Sequence, residues 1–399
     1  MRVGIIGGGA SGLVCAIKAS INNEVTIYEK NSKCGKKILI TGNGRCNYFN
    51  DDFTISHYNS DSIDILETII TEENKNKVLE FFDSIGIIPK IINGYYYPVT
   101  GQAITINEAL IIEARLRGVK IITDCDIKDI EYNDKYIIKT NDREYYADAL
   151  VLALGSYSAP KTGSDGKGYE FAKKFGHSII KPTPALVQLI GNDSFYKEWS
   201  GIRTDVKLSL YEDNMFVKEE VGEIQLTDYG ISGICVFQLS GRIVNGIDNN
   251  KKEVVSINFL PWLNNDIYKF LVNRNNTMKN RKVTEILDGL INYKLVNLIL
   301  KKNKIDVNTM FNTLTDNQIK TICQDLIAFK VNIIGSKGFE ASQVTKGGIP
   351  LDEININTFE SLKQEKLFII GELLDVDGNC GGYNLGFAWL SGIIAGENI

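Results

Sequence analysis

At 399 residues the chain is too long for one ordinary core, so two or three domains are expected. Its 44% hydrophobic and 23% charged residues suit a soluble globular protein, and a net charge of −5 with no segment crowded with Lys and Arg argues against a nucleic-acid or anionic-membrane partner. Seven cysteines without paired spacing point to a reducing cytoplasm, and two histidines, His57 and His177, are too few for a His-rich metal site or a Ser-His-Asp triad, so no metal is expected.

No apolar run approaches the ~18 residues of a membrane span. The apolar start is followed at once by glycines and an acidic residue, and reads as a first strand, not as a signal peptide. Residues 2–6 form that strand, 13–19 a helix of small and apolar residues, and 24–29 a second strand. Between the first two lies Gly7-Gly8-Gly9-Ala10-Ser11-Gly12. A lone G-x-G-x-x-G is weak, but here it follows a strand, opens a helix and has Glu29 at the end of the next strand. Gly7 permits the tight turn, Gly9 lets the backbone approach a pyrophosphate, and Gly12 lets helix and strand pack closely. The helix N-terminus offers N–H groups and positive dipole to an anion, and Glu29 can accept the ribose hydroxyls.

Further along, residues 104–118 read as a helix ending at Gly118, and 126–132 with 136–140 as a hairpin about Asn133-Asp134. Residues 148–155 are a buried-type strand ending at Gly155. Near 185 the texture changes. Residues 206–211 and 215–219 alternate around Glu212-Asp213-Asn214, and 254–259 form a strand stopped by Pro261. Residues 266–329 look helical in several pieces, one of them 283–302 with apolar residues on a helical period. The dinucleotide-binding domain resumes near 340, with a strand at 367–371 and a helix at 384–396. Ligands in open α/β sheets sit beyond the strands' C-terminal ends. The glycines at 7–12, Gly155 and Gly371 all fall at such ends and can converge on one ligand.

Several further segments carry a family resemblance. They are Gly35-Lys36-Lys37 with Thr41-Gly42-Asn43-Gly44-Arg45-Cys46-Asn47, Ala153-Leu154-Gly155-Ser156-Tyr157-Ser158-Ala159-Pro160, Val344-Thr345-Lys346-Gly347-Gly348, and Gly371-Glu372 followed by Gly381-Gly382-Tyr383-Asn384-Leu385. In order and spacing they resemble the bacterial flavoproteins called HI0933-like or BaiN-like, also labelled the aminoacetone oxidase family, and the likeness spans nearly the whole chain. The resemblance implies an α/β fold: a two-part Rossmann-like FAD-binding domain with an inserted β-rich, barrel-like domain and a small helical domain. The expected parts are 1–185 plus 340–399 for FAD, 186–262 plus 330–345 for the β-rich insert, and 263–329 for the helical one. It also implies non-covalent FAD. Gly7, Gly9, Ala10, Ser11, Gly12, Glu29, Lys30 and Lys37 would hold the nucleotide side, with Asp126, Ile127, Leu154 and Gly155. Gly42, Asn43, Gly44, Arg45, Cys46 and Asn47 would contact the flavin, and Thr345, Gly347 and Gly348 would lie near its ring. Glu372 would bind a ribityl hydroxyl, with Asp375 and Asp377 competing for that role. Gly382, Tyr383, Asn384 and Leu385 open the last helix toward the flavin's pyrimidine end.

Other notable residues have plainer readings. Cys34 and Cys46 are too far apart for the redox pair of flavin disulfide reductases and read as buried thiols. His177 follows a helix and reads as its cap; Tyr95-Tyr96-Tyr97-Pro98 reads as a strand; Trp199, Trp262 and Trp389 read as core or hinge anchors. The family often has a basic residue before its aromatic-Pro pair, where this chain has Asn93-Gly94.

No second intact G-x-G-x-x-G occurs within 160–345, so a dedicated NAD(P)H domain is not expected, and NAD(P)H would act as a transient donor at the flavin face. The resemblance implies either NAD(P)H-dependent reduction of an activated C=C bond in a small molecule, as in bile-acid metabolism, or amine oxidation with O2. The reductase is the preferred reading, with the insert as lid and substrate pocket and Tyr383 and Arg45 as acid–base candidates. From other classes, an FAD-dependent tRNA-modifying protein and a non-catalytic flavin-binding regulator remain open.

Overall fold

The computed structural model describes residues 1–263 and 266–399. They form two units: Met1–Pro184 with Phe339–Ile399, and Ala185–Gly338.

The first unit is built on a seven-stranded sheet. Leu367–Ile369, Ala149–Leu152, Arg2–Ile6, Glu24–Tyr28 and Lys120–Ile122 lie side by side and parallel, in that order. The short hairpin Ile354–Asn355 and Glu360–Ser361 adds an antiparallel edge. Central strands covered on both faces read as unbroken apolar runs; accordingly Ala149, Leu150, Val151 and Leu152 are all fully buried. The first helix, Ala10–Ala19, begins three residues before its apolar pattern because the glycine turn feeds straight into it. It packs on the last helix, Tyr383–Asn398, at glycine positions. A Cβ on Gly392 would lie 2.6 Å from Ser11 O, and one on Gly396 2.6 Å from Cys15 O. Backbone therefore rests on backbone, and a side chain at either position would force the two ends of the sequence apart.

Several elements are shorter than expected. The strand expected at 148–155 is Ala149–Leu152, and that expected at 367–371 is Leu367–Ile369. Gly371, at φ 69°, instead opens the 3-10 turn Gly371–Leu373. The hairpin expected from 126 begins at Asp129, pairing Asp129–Asn133 with Lys135–Lys139 about Asp134 at φ 58°. Asp126 and Ile127 are thus left outside the ladder.

The second unit contains a closed barrel with strands in the order Leu189–Gly191, Gly230–Ser232, Met215–Leu226, Arg203–Glu212, Glu253–Asn258 and Phe329–Ser336. The hairpin about Asp213 and Asn214, both at positive φ as a tight primed turn requires, is longer than the alternation suggested. The helix expected at 283–302 is broken into Val283–Leu287 and Tyr293–Lys302. Asn292 accepts the Lys294 N–H and starts a new helix, so a capping side chain overrides a continuous apolar period. The helices Ile267–Thr277 and Asp316–Ile327 belong to the same unit as the barrel, and the chain crosses between units at 184/185 and 338/339.

Trp199 and Trp389 are fully buried, each indole N–H bonded to a carbonyl, of Thr227 and Tyr48 respectively. Trp262 is exposed, which rules out the core alternative of its expected core-or-hinge role. His177 does more than cap a helix. Its backbone N–H bonds Ala172 O, Nδ1 lies 2.9 Å from Glu353 Oε2, and Nε2 lies 2.7 Å from Ser361 Oγ. This is a serine-histidine-carboxylate chain, which the histidine count argued against. Yet Ser361 is buried and its Oγ accepts the N–H groups of Lys363 and Gln364. The chain is a clasp that ties the sheet's edge hairpin to the end of the helix Lys167–Lys174.

Burial holds the His177 pKa below its usual 6.5, outweighing the Glu353 hydrogen bond. The unfolded chain therefore binds the extra proton first, and the clasp's stability is complete above about pH 6.5 and lost as pH falls below it. His177→Ala is expected to cost about 2 kcal/mol, because Glu353 and Ser361 lose a buried partner. Thermal melts across that range check both: the wild type should soften toward acid, and the variant should be less stable and show a flatter acid limb.

Candidate cofactor site and its relatives

The loops leaving the C-terminal ends of the parallel strands enclose a cleft of about 1270 Å³ of atom-free space, its open mouth included. Gly7, at φ 104°, turns the chain where a Cβ would stand 2.4 Å from Ala153 O. Gly12 faces Gly7 O so closely that a Cβ would lie 2.0 Å from it. Gly9 is the opposite case: a Cβ there would meet nothing within 4 Å. Two glycines are thus required by packing, and the third borders open space on the cleft wall. The first N–H groups of the helix that follows have no intrahelical acceptor and serve an anion.

Glu29 lies at the same wall. Its Oε2 accepts the Gly8 N–H at 2.8 Å, and its Oε1 accepts Asn31 N at 2.8 Å and Asn31 Nδ2 at 2.7 Å. These bonds fix the carboxylate's direction before any ribose arrives. Lys30 pairs with Asp165 at 2.5 Å, and Lys167 with Asp126 at 3.3 Å. Lys30, Asp126, Ile127, Leu154 and Gly155 all line the cleft, as do Ala10 and Ser11.

Deeper in, Lys37 Nζ lies 2.5 Å from Glu372 Oε2, while Glu372 Oε1 accepts Ser158 Oγ at 2.7 Å and Thr345 N at 3.1 Å. Thr345 Oγ1 is 2.7 Å from Ser156 Oγ. Of the three acidic candidates for a ribityl contact, Glu372 alone lines the cleft. Asp375 turns to the N–H of Asp61 and to Ser60 Oγ, and Asp377 to Asn59. Ser156 and Ser158 are contributors that sequence reasoning passed over, although both stand in a segment that carries the family likeness.

The remaining expected residues divide. Asn384 and Leu385 line the cleft, and Asn384 ties down the preceding turn, accepting Gly378 N–H at 2.8 Å and donating to Gly378 O at 2.7 Å. Gly347, Gly348 and Gly371 stand behind the wall. A Cβ on them would lie 2.7 Å from Lys181 O, 2.6 Å from Leu373 O and 2.5 Å from Ser11 Oγ, so packing explains them. Gly42, Asn43, Gly44 and Arg45 are exposed on a 3-10 turn and do not line the cleft; Thr41 does. Neither acid–base candidate lines it. Arg45 is exposed, and Tyr383 is buried with its ring stacked on His57 at 4.4 Å and its carbonyl taking the Tyr58 hydroxyl at 3.1 Å. Cys34 and Cys46 are buried, with burial pushing their thiols up to about 12 and about 11, so neither offers a thiolate near neutral pH.

The fit to FAD can be tested on the residues themselves. Open space at Gly9, a pre-oriented Glu29 and a second polar cluster at Glu372 suit a long ligand with a ribose and pyrophosphate at one end and a ribityl chain toward the other. Asn47 Oδ1 is buried without a hydrogen-bond partner, 3.0 Å from the position of a Cβ on Gly382. An unpaired acceptor there has the chemistry for the imide N–H of a flavin, although neither Asn47 nor Gly382 lines the cleft. The residues fit.

The family model described as HI0933-like protein Rossmann domain matches residues 1–398. The chain belongs to the HI0933-like family. It is an FAD-dependent oxidoreductase. Among the relatives of this HI0933-like protein is the 3-dehydro-bile acid delta(4,6)-reductase of Clostridium scindens, 36% identical over 99% of this chain and 98% of the relative. The ribosomal RNA dihydrouridine synthase of Haemophilus influenzae is 28% identical over 97% and 95%. Among solved structures, the 3-ketosteroid-delta4-(5alpha)-dehydrogenase of Rhodococcus jostii RHA1, in complex with 4-androstene-3,17-dione, shares the fold at a TM-score of 0.53, with 14% identity over 99% of this chain and 96% of that one. Among the described residues no helix is long and apolar enough to cross a membrane.

The glycines make a paired prediction. Gly9→Val should fold with an unchanged apo melting temperature but lose at least ~10-fold in FAD affinity, because the new side chain enters ligand space. Gly12→Ala should lose stability outright. Flavin content and melting of the apoproteins check this, and full flavin retention by Gly9→Val would place the pyrophosphate elsewhere.

Proposed function

We propose that the chain reduces a C=C bond conjugated to a carbonyl in a steroid-like small molecule, with NAD(P)H as electron donor. The observation that carries this reading is the near-full-length 36% identity to a 3-dehydro-bile acid delta(4,6)-reductase. The sequence supports the donor assignment: with one dinucleotide motif, occupied by FAD, a nicotinamide would visit, deliver hydride and leave. FAD supplies the hydride chemistry when bound. The chain's own residues hold and orient it: the helix at Gly9 for the pyrophosphate, Glu29 for the ribose, Glu372 with Lys37, Ser158 and Thr345 for the ribityl region, and Asn47 with the last helix for the pyrimidine edge.

A second reading has its own support. Ribosomal RNA dihydrouridine synthases match at 28% and 26% identity, and forming dihydrouridine also means reducing a ring C=C conjugated to a carbonyl. The net charge of −5 weighs against an RNA partner.

Anaerobic stopped-flow separates these. NADH or NADPH should bleach the flavin, and a 3-oxo-4-ene steroid should then restore its colour without oxygen. Bleaching with recovery only on an rRNA transcript would replace the steroid reading with the RNA one. No bleaching by either nucleotide would remove the donor assignment.

A further inference from the structure

The cleft accounts for Lys30, Lys36 and Lys37 but not for Lys346. Lys346 lies on the strand Val344–Gly348, two residues beyond Val344, which is part of the cleft wall. Its ammonium is 3.8 Å from Asp377 Oδ1, within ion-pair range but too far for a hydrogen bond. Asp377 in turn adjoins Val376, another residue of the wall.

The pair is lopsided. The Asp377 side chain is 6% exposed and that of Lys346 24%. Asp377 Oδ2 takes Asn59 Nδ2 at 3.0 Å, but Oδ1 is buried and receives no hydrogen bond. Among the described residues no protein acceptor takes a proton from the Lys346 ammonium. A buried carboxylate is costly without a nearby cation, so Asp377 draws Lys346 in against the back of the wall while leaving its three donors unspent. Burial raises the Asp377 carboxyl to about 6, against the lowering effects of Lys346 and Asn59. Besides these two, Asp375 faces it, itself held by Asp61 N–H and Ser60 Oγ. Lys346 thus stands next to a residue pair of the cleft wall, is partly open to solvent and carries unused donors.

We propose that Lys346 binds the carbonyl oxygen of the substrate and holds the negative charge that gathers there, with Asp377 as the positioning residue behind it. This rests on the reductase reading. Hydride adds to the β-carbon and forms the new C–H bond. The C=C pair shifts toward the carbonyl, whose π electrons move onto oxygen to give an enolate. Lys346 donates a hydrogen bond to that oxygen and keeps its proton. The α-carbon then takes a proton from solvent and the ketone re-forms, so the product carries one hydride and one proton, two electrons and two protons in all, beyond the enone's own atoms.

Lys346→Met should keep wild-type flavin content and melting temperature but slow enone-driven flavin reoxidation by ~100-fold, the usual cost of one lost oxyanion donor. Lys346→Arg should recover part of it. Asp377→Asn should weaken enone binding more than it slows the chemical step. Wild-type efficiency should fall as pH drops through about 6, where Asp377 loses its charge, and the Asn variant should lack that limb. A probe without turnover separates this from the reductase reading. 4-Chlorophenol titrated into the oxidised holoprotein should bind as the phenolate, with a long-wavelength charge-transfer band and a lowered phenol pKa in wild type, and with neither in Lys346→Met. A Lys346-dependent phenolate band without enone reactivity would overturn the steroid reading and leave the oxyanion site. Equal phenol binding and equal enone rates in wild type and Lys346→Met would overturn the role of Lys346 itself.

Discussion

The contact between Gly7 and Gly12 is the one on which the rest of the FAD-binding unit depends. With 2.0 Å between Gly7 O and the place of a Gly12 Cβ, no other residue fits at position 12 without moving the first helix off the first strand. That close seat aims the helix's N-terminus along the sheet edge into the cleft. The same logic recurs where Gly392 and Gly396 admit the last helix against the first. The cofactor cleft is thus framed by backbone meeting backbone, and side chains such as Glu29 and Glu372 add direction to a frame that glycines have already set. Rigid framing of this kind is what lets a protein control a cofactor it does not bind covalently.

Much of this frame was legible because its signals are local. A strand, a glycine turn, a helix and an acidic strand end follow one another within the first thirty residues, and each has a physical reason for its residue type. What escaped were decisions made by long-range contact. Glycines at 347, 348 and 371 read as ligand-facing, yet they serve packing against Lys181, Leu373 and Ser11, partners remote in sequence for all but one of them. The 42–45 turn reads as wrapping the ligand, but positive φ at Gly42 and Asn43 turns it outward. The break between residues 287 and 293 came from one Asn side chain that a helical period cannot register.

Charge in this unit is arranged by burial. Lys37 is paired with Glu372 inside the cleft and Lys30 with Asp165 at its wall, where each cation has a close carboxylate. Lys346 has a distant one, and its partner is the most deeply enclosed acid of the group. Pairs with good hydrogen bonds hold geometry; a pair at 3.8 Å holds a charge in place without consuming its donors. The serine-histidine-carboxylate clasp at His177 makes the complementary point. An arrangement familiar from hydrolases is here enclosed and saturated with backbone donors, and it supplies stiffness to a sheet edge.

The packing of Tyr383–Asn398 on Ala10–Ala19 also bears on how the protein is made. The nucleotide loop is synthesised before the whole barrel unit, and the helix that completes its surroundings after it. The barrel unit's segments are all available while the flavin unit still lacks three strands of its main sheet and the helix Tyr383–Asn398. The long sequence separation makes closure of that unit a late event. Cofactor capture is then coupled to synthesis of the helix Tyr383–Asn398, and a polypeptide cut short before that helix would carry its dinucleotide motif without the frame that makes it a binding site.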